Sequence, residues 1–327
     1  EVLEFAKFMR VPIGFHWYVW HKIPFDNDYP HFFPAKEGFV KAVRDLEDAG
    51  VRVMPYINGR LWDADLDDFK TEGIKAATKN EKGEPYIEDY GNGVRNAVMN
   101  PVTQIWQNKI KEIVLRLQKK SGTSGVYLDQ LSAASPKLCM DTTHGHPLGG
   151  GSWWLGQGYY KLLSAIREEM PEGAFLTSES TAEPYNHLLD GLLSWNFQFQ
   201  DQKPIYSAIY GGRISIFGRN NPVGPKKHKA LIMRAGQQLV FGEQIGWISP
   251  KVLKEKEPAE FLRKMAQTRY KLIDYFVDGQ MLAQPIVDGD IPNITADWEW
   301  GENNPCLLYT SDAADEGLGV DLGGRRI

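Results

Sequence analysis

Gly125-Val126-Tyr127-Leu128-Asp129 is a short apolar run, β-branched and aromatic, that ends on a carboxylate. It follows a helical stretch that stops at Ser121-Gly122, which predicts a buried strand presenting Asp129 at its C-terminal tip. The pattern recurs at Ala174-Phe175-Leu176-Thr177-Ser178, which delivers Glu179. Two strand-tip carboxylates on neighbouring strands of an α/β chain are what cleavage of a glycosidic bond requires. The plainer reading makes both of them salt-bridged structural carboxylates. An acidic group closing an apolar strand is costly unless something uses it, and this favours catalysis.

Outward from Asp129, strand and helix signals alternate. Residues 11–18 read as a strand, and residues 36–50 as an amphipathic helix with Phe39, Val40, Val43 and Leu46 on one stripe and Gly50 as its stop. Residues 51–57 form the next strand, which runs into Asn58-Gly59-Arg60. The polar excursion over residues 63–100 reads as a loop with a small hairpin, and connections this long are usually functional. Residues 103–120 and 153–170 are helical. Later strands are expected within 188–197, at 213–217, and at 239–241 leading into Gly242-Glu243-Gln244, with a closing helix over 258–276.

Seven strands, mostly joined by helices, predict an α/β fold. The economical form is a (β/α)8 TIM barrel over residues 1–280 whose first strand lies upstream of Glu1. Asp129 then ends the fourth strand and Glu179 the fifth. An open doubly wound sheet is the competitor, but no glycine-rich phosphate fingerprint supports it. Residues 281–305, rich in Trp, Pro and Gly, read as the start of a truncated C-terminal β domain. Residues 306–327 read as a sequencing-adapter read-through: Cys306-Leu307-Leu308-Tyr309-Thr310-Ser311 is what TGT-CTC-TTA-TAC-ACA-TCT encodes. That leaves Cys139 as the one native cysteine and no intrachain disulfide. The opening residues 1–10 read as a helix already under way, so the location of the protein stays open.

The 327 residues carry a net charge of −5 and no Lys/Arg stripe, which argues against a nucleic-acid partner or an anionic membrane. No apolar run approaches the roughly 18 residues of a membrane span. Ten Trp and fourteen Tyr fit a carbohydrate site, where aromatic faces serve as platforms. The expected partner is an oligo- or polysaccharide, with no cofactor and an oligomeric state left open.

In a barrel the C-terminal strand ends converge on one mouth. The candidates there are His16, Trp17, Tyr56, Asn58, Arg60, Asp129, Gln130, Glu179, Glu183, Trp195, Arg219 and Glu243. Asp129 is assigned as nucleophile and Glu179 as acid/base, with Glu243 as the rival acid. Trp17 and Trp195 are candidate stacking platforms, or core. Asn58 and Arg60 could bind hydroxyls, or anchor their loop. The segment Cys139-Met140-Asp141-Thr142-Thr143-His144-Gly145-His146 resembles a metal cluster, but its spacing matches no closed zinc pattern. It is read as a rim loop that brings His144 and His146 near the mouth, with no metal.

The phrases YLDQLSAASPKLCMDTTHGHPLGGGSWW, TSESTAEPY, IYGGRISIFGR and AGQQLVFGEQIGW resemble a bacterial group, domain-of-unknown-function family 6259. The resemblance implies a glycoside-hydrolase-like barrel over most of residues 11–297. More distantly, an Asp on strand four and a Glu on strand five is similar to retaining α-glycosidases of the α-amylase, dextranase and endo-α-N-acetylgalactosaminidase types. That likeness implies Asp129 as nucleophile and Glu179 as proton donor, on an α-linked glycan. The chain departs from α-amylases at Tyr127, where they carry an arginine two residues before the nucleophile. Two other readings compete: a metal-dependent barrel hydrolase using His16, His144, His146 and a carboxylate, and a non-catalytic carbohydrate-binding barrel.

Overall fold

The computed structural model describes residues 1–149, 151, 153–194, 203–218 and 227–282, together with the backbone of strands at 294–297, 308–311 and 323–326. The chain forms two compact units, one of Ile13–Asp190 and one of Glu1–Pro12 with Gly191–Ile327. The opening helix α1 (Val2–Met9) belongs to the second.

The first unit begins with β1 (Ile13–Trp17), α2 (Phe39–Asp48) and β2 (Val51–Asn58). The excursion that follows is more ordered than a loop with a hairpin. It holds β3 (Leu61–Asp63), the short helix α3 (Asp67–Thr71), β4 (Ile87–Glu88) and β5 (Asn96–Val98), with the strands in a three-stranded antiparallel sheet ordered β3-β5-β4. Buried Leu61, Trp62, Ala97 and Val98 give this sheet a core of its own. Helix α4 (Gln104–Leu115), strand β6 (Gly125–Asp129), helix α5 (Tyr160–Glu169) and strand β7 (Phe175–Glu179) complete the unit.

Strands β1, β2, β6 and β7 pair in that order, all parallel, as crossover helices require. Two local devices set the register. Glu47, in the last turn of α2, accepts the backbone N–H groups of Val53 and Ser124 at 2.8 and 2.9 Å and the Ser124 hydroxyl at 2.6 Å, which ties the N-terminal ends of β2 and β6 together. Gly125 faces Phe175 across the ladder, and a Cβ at Gly125 would lie 2.2 Å from that ring.

In the second unit β8 (Gly191–Leu193), β9 (Ser215–Gly218) and β10 (Gln244–Ile245) also pair in parallel, with α6 (Ile205–Tyr210) and α7 (His228–Val240) between them. Helix α8 (Lys256–Lys271) packs on α7 and on α1, where Gln267 donates to the Met9 carbonyl at 3.1 Å. One expectation is corrected here. Residues 239–241 are not a strand: α7 runs through Val240, and Gly242, with φ 71°, turns the chain before β10 begins at Gln244. Two further antiparallel ladders pair Gln280–Leu282 with Gly323–Arg326 and Ile294–Asp297 with Leu308–Ser311. Among the described residues, no helix is long and apolar enough to cross a membrane.

Candidate active site

The parallel register sets Leu128 against Ser178, so Asp129 and Glu179 leave adjacent strands side by side. The two carboxyl groups are near enough that the charge of Glu179 bears on Asp129. The residue after each has a left-handed backbone, φ 62° at Gln130 and φ 58° at Ser180. A non-glycine residue in that region costs about 1–3 kcal/mol, and the same strained exit at both tips swings the chain away from the carboxylates.

Around Asp129 stands a cage of phenols. Tyr56 donates to its Oδ2 at 2.9 Å, Tyr127 to Oδ1 at 3.4 Å, and the Asn58 amide to Oδ2 at 3.5 Å. Tyr29 continues the chain, donating to the Tyr56 oxygen at 3.5 Å and to Asp26 at 3.3 Å. Tyr18 stacks on Tyr56 with ring centroids 4.9 Å apart and lies near both carboxylates. Beneath them His16 packs its ring 4.3 Å from Tyr127 and 4.5 Å from Tyr18.

Burial dominates the electrostatics. It pushes Asp129 well above the usual carboxylate range, and the charge of Glu179 adds to the rise while the Tyr56 hydrogen bond opposes it. No cation contacts Asp129 in these described hydrogen bonds: where α-amylases carry an arginine, Tyr127 offers a neutral phenol. Burial also lowers His16 to about 3, so it is a neutral ring and not an acid or base. The phenols of Tyr18, Tyr56 and Tyr127 are pushed up, by burial first and by Asp129 next, and stay protonated as donors.

Several predicted residues do other work. Trp17, half-buried, packs on Phe39 of α2 with centroids 5.1 Å apart, against the helix layer. The Asn58 side-chain oxygen Oδ1 accepts the backbone N–H groups of Arg60 and Leu61 at 2.9 and 3.0 Å, holding the turn after β2. Arg60 is 2% exposed and forks onto Glu88 at 2.5 and 3.0 Å, with a further bond to Gln130 at 3.3 Å. It anchors the antiparallel sheet to the residue after Asp129. Glu183 is exposed in a 3-10 turn. Glu243 precedes its strand instead of ending it, which removes the strand-tip argument for a rival acid. Trp195 and Arg219 lie outside the described residues.

His144 and His146 are buried beside Cys139 and Asn100, and His146 stacks on Trp153 with centroids 3.7 Å apart. His16 is not part of that cluster. The three imidazoles of the metal-hydrolase reading are therefore not gathered at one point.

Sequence reasoning overlooked Tyr18, Tyr29, Glu88 and Phe25. Phe25, 40% exposed, lies 5.0 Å from Tyr56 and 5.6 Å from Tyr18 and puts an aromatic face at the rim of the cage. Strand alternation could have found Tyr18, which directly follows β1 and turns to the same side as His16. Nothing local marks Tyr29 or Glu88, which arrive from irregular chain and a two-residue strand.

The model of the family described as "Domain of unknown function (DUF6259)" matches residues 1–221. A Bacteroides thetaiotaomicron protein named "Putative glycoside hydrolase" is 33% identical over 299 residues, covering 89% of this chain and 44% of that protein. A Monosiga brevicollis protein named "Putative glycoside hydrolase 22789" is 32% identical over 265 residues, covering 72% of this chain and 22% of its own length. The chain thus spans less than half of either relative. Among solved structures, an α-N-acetylgalactosaminidase of Bifidobacterium bifidum superposes with a TM-score of 0.66 at 13% identity, over 90% of this chain and 48% of that one. An α-galactosidase of Thermus thermophilus gives 0.54 at 12% identity, over 88% of this chain and 60% of that one. At such identities the likeness is one of fold.

Proposed function

This chain belongs to the DUF6259 family, and we propose that it carries the catalytic centre of a glycoside hydrolase that cleaves an α-linked glycosidic bond with retention, through Asp129 and Glu179. The observation that carries the reading is the pair of carboxyls delivered side by side by neighbouring parallel strands, with phenols caging Asp129. The names of the curated relatives, and of the solved α-glycosidases that share the fold, support the reaction class and the linkage.

Retaining enzymes hold the two carboxyls about 5–5.5 Å apart, whereas inverting ones need about 6.5–9.5 Å to admit a water between carboxylate and sugar. Carboxyls delivered by adjacent parallel strands favour the first geometry. With a sugar bound between them, Glu179 acts as the acid and gives a proton to the glycosidic oxygen, while Asp129, as an anion held by Tyr56, Tyr127 and Asn58, attacks the anomeric carbon and the leaving sugar departs as its alcohol. Water then cleaves the glycosyl–Asp129 ester, with Glu179 taking the water's proton.

The test is a screen of α- and β-linked glycans, with the anomer of the first-formed product followed by NMR. An α-linked substrate that yields an α-configured product is expected. Turnover confined to β-glycosides, or product of inverted configuration, overturns the proposal.

A further inference from the structure

Between Asp129 and α5 the chain closes on itself: Cys139 N–H donates to the Gly149 carbonyl at 2.8 Å, and Gly149 N–H returns a bond to Cys139 at 3.0 Å. Inside this clip Cys139 Sγ and one ring nitrogen each of His144 and His146 lie within 4.8 Å of one another. We propose that Cys139, His144 and His146 form a zinc-class cation site that pins this loop to the chain around Asn100.

The hydrogen bonds of the two imidazoles carry the argument. His144 Nε2 lies 3.0 Å from the Lys75 carbonyl and His146 Nδ1 lies 2.7 Å from the Pro147 carbonyl. A carbonyl only accepts, so each of these nitrogens bears the proton. The lone pairs therefore sit on His144 Nδ1 and His146 Nε2, the two atoms that face Cys139 and Asn100. Backbone carbonyls that fix the tautomer in this way are the usual outer support of metal-binding histidines. Stacking on Trp153 fixes the plane of the His146 ring as well. The Cys139 Sγ to His144 Nδ1 distance of 3.5 Å matches the edge of a tetrahedron with Zn–S near 2.3 Å and Zn–N near 2.0–2.1 Å.

One thiol and two imidazoles suit zinc or cobalt and not calcium or magnesium, which take oxygen ligands. The amide nitrogen of Asn100 now lies 2.9 Å from each imidazole lone pair and 3.4 Å from the sulfur. Its two hydrogens serve three acceptors, while its oxygen accepts from Val102 N–H at 3.0 Å. A cation serves all three donors at once. Seating it requires the amide to turn, either giving way to a water or presenting its oxygen as the fourth ligand. The donors are buried, so the role is structural: the site holds the segment that starts at Gln130, next to Asp129.

The full chain, stripped with chelator and titrated with Co²⁺, should take up one equivalent. It should develop the visible bands of tetrahedral cobalt together with a thiolate charge-transfer band, and lose both on addition of Zn²⁺. Cys139→Ser should abolish the charge-transfer band and weaken zinc binding by on the order of 100-fold. Should that variant fail to fold, the wild-type titration with His146→Gln decides. A wild type that gives neither cobalt bands nor a zinc-dependent rise in unfolding temperature overturns the proposal, as do bands that survive Cys139→Ser unchanged.

Discussion

Replacing Tyr56 with phenylalanine removes one oxygen from the cage and keeps the ring that stacks on Tyr18. Its hydroxyl lies 2.9 Å from Asp129, closer than Tyr127 and Asn58 at 3.4 and 3.5 Å. Such a bond is worth about 1.5–3 kcal/mol to an ionised acceptor and about 0.5–1.5 kcal/mol to a neutral one. The variant therefore disfavours the anion by about 1–1.5 kcal/mol, and activity on the acid side of the pH–rate profile should fall roughly tenfold as that limb moves to higher pH. Folding gives a second readout that needs no substrate. Asp129 titrates higher in the folded protein than in the unfolded chain, where its value is the ordinary 3.8. Its contribution is thus favourable below the unfolded value and is lost as pH rises through the folded one. Tyr56→Phe deepens that loss, so the variant should be more destabilised in alkali than in acid when unfolding is followed across pH. Equal destabilisation at every pH, or an acid limb that moves down, would refute the reasoning.

Asp129→Asn keeps the shape of the site and removes the buried charge. It should lower turnover by about 10³-fold or more while raising stability at neutral pH by about 1 kcal/mol, a gain that fades in acid; steady-state kinetics and thermal unfolding check the two halves. Phe25→Ala should raise KM by about 2- to 10-fold with kcat kept, because the exposed ring contributes binding and no chemistry; a loss confined to kcat would contradict its role as a platform. Glu88→Gln leaves Arg60 buried without its counter-charge and should cost about 3 kcal/mol at pH 7. Burial pushes the Glu88 carboxyl up, but its bonds from Arg60, Tyr90 and Lys137 outweigh this and hold it at about 2. That stability is present above the unfolded value of 4.5 and is lost as pH falls through about 2, so wild type and variant should converge in strong acid in a denaturant series.

The carboxylate pair was legible because it sits at strand tips, and a strand tip can be read from an apolar run that stops on an acid. Period two separates the residues near it, His16 and Tyr18 to one side and Trp17 to the other, and a reading without that alternation groups His16 with Trp17 and passes over Tyr18. Leu239, Val240 and Phe241 look like a strand because they are apolar and consecutive. The helical spacing of buried Leu231, Ala235 and Gln238 carries the helix through Val240, and the error moved Glu243 to the wrong end of its strand. The metal-like cluster fits no sequence spacing because the group its donors share, Asn100, stands well before them in the chain. Arg60 looked available for substrate because its partner Glu88 comes from a strand of two residues, too short to carry a pattern.

Retaining cleavage passes through a sugar ester on the nucleophile, and this intermediate can be trapped. Incubation with fluorinated α-glycosyl fluorides, digestion and peptide mass spectrometry should find one glycosyl adduct, on Asp129, that accumulates in the wild type and is absent from Asp129→Asn. An adduct on any other carboxylate, or undiminished turnover by Asp129→Asn, would contradict the account.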